Sequence, residues 1–160
     1  MSGKAADLAA KLEQANAAVI EAVENSSEAD WQRVTSSEGW SVGVTARHIA
    51  ISHLPIMGLV ELVASGGEVP VITMDMFHAG NAQHAQEHAS CTRDEVLEIL
   101  ERDGKAAADK LRGLTDDQLE RSASMAFAGG AEMSALQIVE GILLGHPAQH
   151  LESIKAATAS

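Results

Sequence analysis

His146 and His150 stand four residues apart in the stretch Leu144-Gly-His-Pro-Ala-Gln-His-Leu-Glu-Ser-Ile154. On a helix, side chains at i and i+4 leave one face about a turn apart. That spacing can aim two imidazoles at a single metal ion. Leu136, Val139, Leu143, His146, His150 and Ile154 recur at steps of three and four, the apolar stripe of a core-facing helix. Two polar rings thus occupy positions where the pattern asks for Leu or Val, and a buried polar group needs a partner. A metal is one such partner; a backbone carbonyl or a buried water is the ordinary alternative.

A catalytic metal site typically has three protein ligands and an open position, and zinc, nickel and iron all accept neutral imidazole nitrogens. The third ligand must come from another helix. A further turn along the last helix brings Ile154, which cannot coordinate, and Glu140 and Glu152 lie off the stripe. His48, about two turns into a second helix, is the strongest candidate. His53 is five residues further on, does not share its face, and reads as a core or partly solvated histidine.

The helices that must carry these residues are legible from periodicity and caps. A first helix spans Ala5 to about Glu24, with Leu8, Leu12, Ala15, Ile20 and Val23 facing inward. A connection containing Trp31 and Trp40 follows, and both indoles pack the bundle end. Ser41 caps a second helix running to about Ala64, interrupted by Pro55, which should bend it. Gly66-Gly67 ends it. A shorter helix covers Met74 to about Ala89. Thr92-Arg-Asp-Glu95 reads as a capping box opening a third long helix to about Arg112, where Gly113 suits the C-terminal end. Thr115 caps a brief turn to Arg121, Ser122 to Met133 reads as loop, and Ser134 opens the last long helix, to about Ala157. Pro147 cannot donate a backbone hydrogen bond, so the carbonyl of Leu143 loses its usual partner and a kink is expected between the two ligands.

Composition narrows the partners. The chain has 160 residues, a formal charge of −12, no Tyr, three Pro and one Cys. This composition favours an all-α domain over residues 1–160. The negative charge argues against nucleic acid, whose phosphates need a basic face, and against anionic membrane surfaces. The longest apolar run, Ile49 to Val63, is short for a bilayer span and carries His53, Pro55 and Glu61. No secretory apolar segment opens the chain, so a cytoplasmic location is expected. Cys91 alone can form no intrachain disulfide and reads as a plain thiol near a helix start. The acidic residues between Asp94 and Asp103 read as a solvated helix face, and the Met74/Met76 pair reads as core or gap-filler rather than ligand.

Gly39-Trp-Ser-Val-Gly-Val-Thr-Ala-Arg-His-Ile-Ala50, a Gly-Trp-Ser-Val opening with a His in the second helical turn, precedes the late His-x-x-x-His motif. In this order and separation the motifs resemble the DinB/YfiT-like family, which includes proteins similar to mycothiol-dependent maleylpyruvate isomerases and bacillithiol transferases. The resemblance covers most of the chain. It implies a four-helix bundle of up-down-down-up topology, commonly a homodimer. It also implies a divalent transition metal (Zn, Ni or Fe) held near one end by His48, His146 and His150.

In that topology the second and third long helices are parallel, so Met74 to Ala89 must cross back along the bundle. Phe77, Asn81, His84 and His88 share one stripe of it. The plain reading is the polar face of a short, partly exposed helix. Alternatively the crossover brings Asn81, His84 or His88 to the mouth of the metal site, to orient ligands, move protons or contact substrate. A second metal site there lacks a third ligand. The function expected from the resemblance is a metal-dependent S-transferase or isomerase acting on a small molecule with a low-molecular-weight thiol. A metal-dependent hydrolase, and a non-catalytic metal-binding or stress-associated dimerisation module, stand as alternatives.

Overall fold

The computed structural model describes residues 3–159. Its long helices are α1 (Lys4–Glu24), α3 (Val42–Ser65), α5 (Arg93–Arg112) and a last helix in three pieces. Those pieces are α7 (Ala135–Ile138), a π-helical turn (Val139–Leu143) and α8 (Gly145–Thr158). Short helices α2 (Glu28–Gln32), α4 (Met74–Glu87) and α6 (Asp116–Glu120) fill the connections.

The contacts between helices establish the directions of the bundle. Arg112 meets Glu13 while Asn16 reaches Leu100, so α1 and α5 are antiparallel. Arg47 meets Glu95 and Lys110 meets Glu61, so α3 and α5 run parallel. His48 meets His146, and Met57 shares a core with Ile138, so α3 and the last helix are antiparallel. The topology is therefore up-down-down-up. Two parallel neighbours cannot be joined by a short loop, and α4 with its flanking segments makes the return journey.

Two apolar clusters fill the interior. One gathers Leu8, Leu12, Met57, Val60, Leu111, Ile138, Val139 and Leu143. The other gathers Val19, Val23, Trp31, Ile49, Leu100, Leu151 and Ile154 around the end of the bundle that carries His48. Asn16 faces the interior of α1 as Leu8 and Leu12 do, while Ala15 and Ile20 are only half-buried. His53 bonds Asn16 there and is a core histidine, 1% exposed.

Ser41, Thr73, Thr92, Thr115 and Ser134 each accept a bond from the backbone N–H three residues on, as N-caps do. Thr115 with Gln118 and Ser134 with Gln137 form full capping boxes. The expected box at Thr92 is only half made, because Glu95 pairs instead with Arg47 at 3.3 Å. Gly113 ends α5 with ordinary right-handed φ, so its cap does not use the left-handed conformation open to glycine.

Residues 122–133, expected as loop, contain a two-stranded antiparallel hairpin. Ser122–Met125 pairs with Ala131–Ser134, and Met125 is buried in the core. Short Ser- and Ala-rich strands carry little β-propensity, so tertiary packing rather than local preference makes them. α3 spans the expected residues, and at 24 residues it is, unlike the run Ile49 to Val63 alone, long and apolar enough by length and composition to cross a bilayer. In the bundle it packs against α5, α8 and the hairpin side, which accounts for its apolar character.

Candidate metal centre

The site is built where α3 begins and α8 begins. Ser41 caps α3 through Val44 N at 3.1 Å, and Gly43 lets the helix sit against Trp31, whose indole lies 2.6 Å from where a Cβ would be. Trp31 in turn donates Nε1–H to the Cys91 carbonyl at 2.9 Å, tying the start of α5 to this end. His48 then falls on the buried side of α3, with Trp40 packed edge-on at 5.3 Å.

The last helix reaches His146 through the π turn, in which Leu144 N–H donates to Val139 carbonyl at 2.9 Å. One extra residue per turn here resets the face that α8 presents, and such bulges recur at functional sites. Pro147 lies in the first turn of α8, where a missing N–H is well tolerated. The expected irregularity is therefore a widened turn just ahead of His146.

Among the described residues, His48, His146 and His150 form a group whose ligand nitrogens all lie within 4.8 Å of one another. Their ring centroids are separated by 4.7, 4.9 and 4.5 Å. The Nε2 atoms of His48 and His146 face each other at 2.8 Å. His150 uses Nδ1 on Glu38, also at 2.8 Å, which leaves its Nε2 free to coordinate. With Nδ1–H donating to the carboxylate, this arrangement sets the tautomer and aim of a ligating histidine. Burial, then the neighbouring imidazoles, push His48 down to about 3, and burial and His150 push His146 down to about 3. Both are neutral at pH 7, the form a metal needs. The donor set thus fits a divalent transition metal.

Glu38, the partner of His150, is a residue of the cluster that helix periodicity could not reveal, since it lies in the connection before α3. A tight turn there has Gly39 at φ +73°, a left-handed value that favours glycine, and Thr35 N–H donates to Trp40 carbonyl at 2.8 Å. The Glu38 side chain is only 8% exposed. Burial pushes its carboxyl up, but the polar groups around it, the His150 imidazole among them, outweigh this and hold it below the usual range. Its one sequence signal is an acid next to the Gly-Trp-Ser opening.

The crossover residues divide. His84, in the last turn of α4, is buried with its ring 6.0 Å from that of His48. His88 caps the same helix and packs on His84 at 5.1 Å rather than on the triad. Asn81 is half-buried, with no hydrogen bond to the triad. Burial, then the charges of Arg47 and His88, push His84 down to about 4. Cys91 is buried and its thiol pushed up, first by desolvation and then by the charge of Glu95.

A bundle of this topology with three imidazoles converging at one end defines a class of helical proteins equipped to hold a transition metal. The model of the DinB superfamily matches residues 11–154, and the chain belongs to that superfamily. Two solved structures share its fold. YfiT from Bacillus subtilis, described as a probable metal-dependent hydrolase with an unusual four-helix bundle topology, superposes with a TM-score of 0.79 at 21% identity. That match covers 99% of this chain and 89% of YfiT. The mycothiol-dependent maleylpyruvate isomerase superposes with a TM-score of 0.74 at 12% identity. It is matched over 99% of this chain, which spans only 63% of the isomerase. No curated protein matches the chain by sequence.

Proposed function

We propose that the protein holds one divalent transition metal through His48, His146 and His150 and acts on a small molecule as a thiol-linked S-transferase or thiol-dependent isomerase. The observation that carries the metal is the convergence of His48, His146 and His150, one ring nitrogen of each lying within 4.8 Å of the others, with the His150 ring held by Glu38 through Nδ1. Bound there, the ion would lower the pKa of a coordinated thiol or water and so make a nucleophile near neutral pH. The chain's own part is to orient: Glu38 fixes the His150 ring, Trp40 backs the His48 ring, and burial keeps the imidazoles neutral. Zinc, nickel and iron all suit three imidazoles.

The thiol is supported by the fold shared with the mycothiol-dependent isomerase. Hydrolysis is the second reading, favoured by the fuller match to YfiT, of which this chain covers 89%. A non-catalytic metal-binding module is the third. A homodimer and a cytoplasmic location belong to the same proposal. The dimer is supported by the exposed apolar side chains Val71, Met74, Met76 and Phe77, and light scattering tests it.

Elemental analysis of untagged protein should find about one transition metal per chain; none would sink the metal reading. Thermal shifts with mycothiol, bacillithiol, coenzyme A and glutathione then test the thiol, because a specific ligand stabilises the native state by mass action. No shift with any of the four would overturn the thiol reading and favour hydrolysis.

A further inference from the structure

α4 inverts the usual logic of burial. Its apolar residues Met74, Met76 and Phe77 are exposed, and the only residue of the helix that is buried is a histidine, His84, 8% exposed. Both ring nitrogens of His84 are buried with no hydrogen-bond partner among the described residues. An imidazole placed this way forgoes its hydrogen bonds to water, which is unfavourable unless something else satisfies it. Within one copy of the chain the larger apolar side chains of α4 do not enclose it: Met74 and Met76 are exposed, and Phe77 packs edge-on against Phe127 at 5.6 Å.

The neighbours of His84 belong to the site and to its own helix. His48 lies beside it at 6.0 Å between centroids, and His88 lies on the other side at 5.1 Å. Arg47, half-buried next to His48, is tied to Glu95 and is not its partner. His84 stands outside the group whose nitrogens converge within 4.8 Å, so it is one ring further out, on the His48 side. A neutral imidazole offers one donor and one acceptor, and both remain uncommitted here.

We propose that His84 is a substrate-binding residue, whose ring N–H hydrogen-bonds an oxygen of a small carboxylate or carbonyl ligand held beside the His48–His146–His150 cluster. The inference rests on the metal reading and adds the class of ligand and the group that grips it. It also gives the crossover helix a role: the return path of the chain carries a binding side chain to the site.

Acetate is the probe, and full-length protein loaded with cobalt(II) is the reporter, because the visible spectrum of the ion responds to what joins its surroundings. Wild type should bind one cobalt per chain and shift its spectrum as acetate is added. His84→Ala should keep the cobalt and bind acetate about tenfold more weakly, while His84→Gln, which retains a donor, should recover part of the loss. Equal acetate affinity in wild type and both variants, or no acetate effect in wild type, would overturn the proposal while the metal reading stands. Loss of cobalt in both His84 variants would overturn it too, making His84 a metal ligand. If wild type itself takes up no cobalt, the metal reading fails first and the proposal falls with it.

Discussion

His53 and His48 lie five residues apart on α3, both buried and both held neutral by burial. Their partners differ. His53 Nε2 is 3.0 Å from Asn16 Oδ1, and the Asn16 amide donates onward to the Leu100 carbonyl at 2.9 Å. That chain ends on backbone and is closed, with room made by Gly104, where a Cβ would overlap the Asn16 amide. His48 instead meets His146, and His150 is turned toward both by Glu38. Burial and a depressed pKa are common to the two regions, so neither distinguishes structure from function. What distinguishes them is whether the ring nitrogens are spent on the protein or converge on a shared position.

Removing one member from each region gives the largest contrast. His150→Ala should reduce bound metal from about one per chain to near zero, while His53→Gln should leave it unchanged. Elemental analysis of both variants decides, and retention of metal by His150→Ala contradicts the three-histidine site.

Acid should act on both regions in the metal-free protein. The folded pKa values, about 4 for His53 and about 3 for His48 and His146, lie below the unfolded value of 6.5. The unfolded chain therefore binds more protons in this range, and stability rises with pH. The contribution is whole above pH 6.5 and declines as pH falls from 6.5 toward 4 and then 3. Each histidine loses about 1.4 kcal/mol per pH unit. Urea midpoints at pH 7, 6 and 5 test this. His53→Leu should flatten the slope, and an unchanged slope would show that His53 is protonated inside the fold.

Gly104→Ala attacks the closed chain alone. Displacing Asn16 breaks its bonds to His53 and to Leu100, for a loss of about 2–4 kcal/mol of stability. Denaturant unfolding should show the loss while metal content stays at wild-type level. Glu38→Gln has the smallest expected effect and acts only on the cluster. It keeps the shape but weakens the orientation of His150, so chelator competition should show about tenfold weaker metal binding, or about 1.4 kcal/mol. Unaltered affinity would mean that Glu38 does not prepare the ligand.

Particular residues show how far sequence reading reached. His146 and His150 were legible because a helical repeat is local, and an i,i+4 pair on an apolar stripe reports its own geometry. The serine and threonine caps were legible for the same reason. Asn16 was not: it sits on α1 at an inward position whose partner is 84 residues away at Leu100. Glu38 was hidden in a connection without periodicity. Glu95 followed the local capping rule in sequence and broke it in space, because Arg47 from α3 competes for its carboxylate. The hairpin escaped because Ser and Ala carry no strand signal.

The helices, their caps, the acidic charge that disfavours nucleic acid, and the pair of rings on the last helix are all written in the linear chain. Each is a property of composition or of near neighbours. The meeting of His48 with His146 across 98 residues, and of His150 with Glu38 across 112, exists only once the bundle has assembled. The same assembly places His84 beside them. Those meetings depend on two parallel helices forcing a crossover and on a π turn resetting the last helix, and no local rule encodes either outcome.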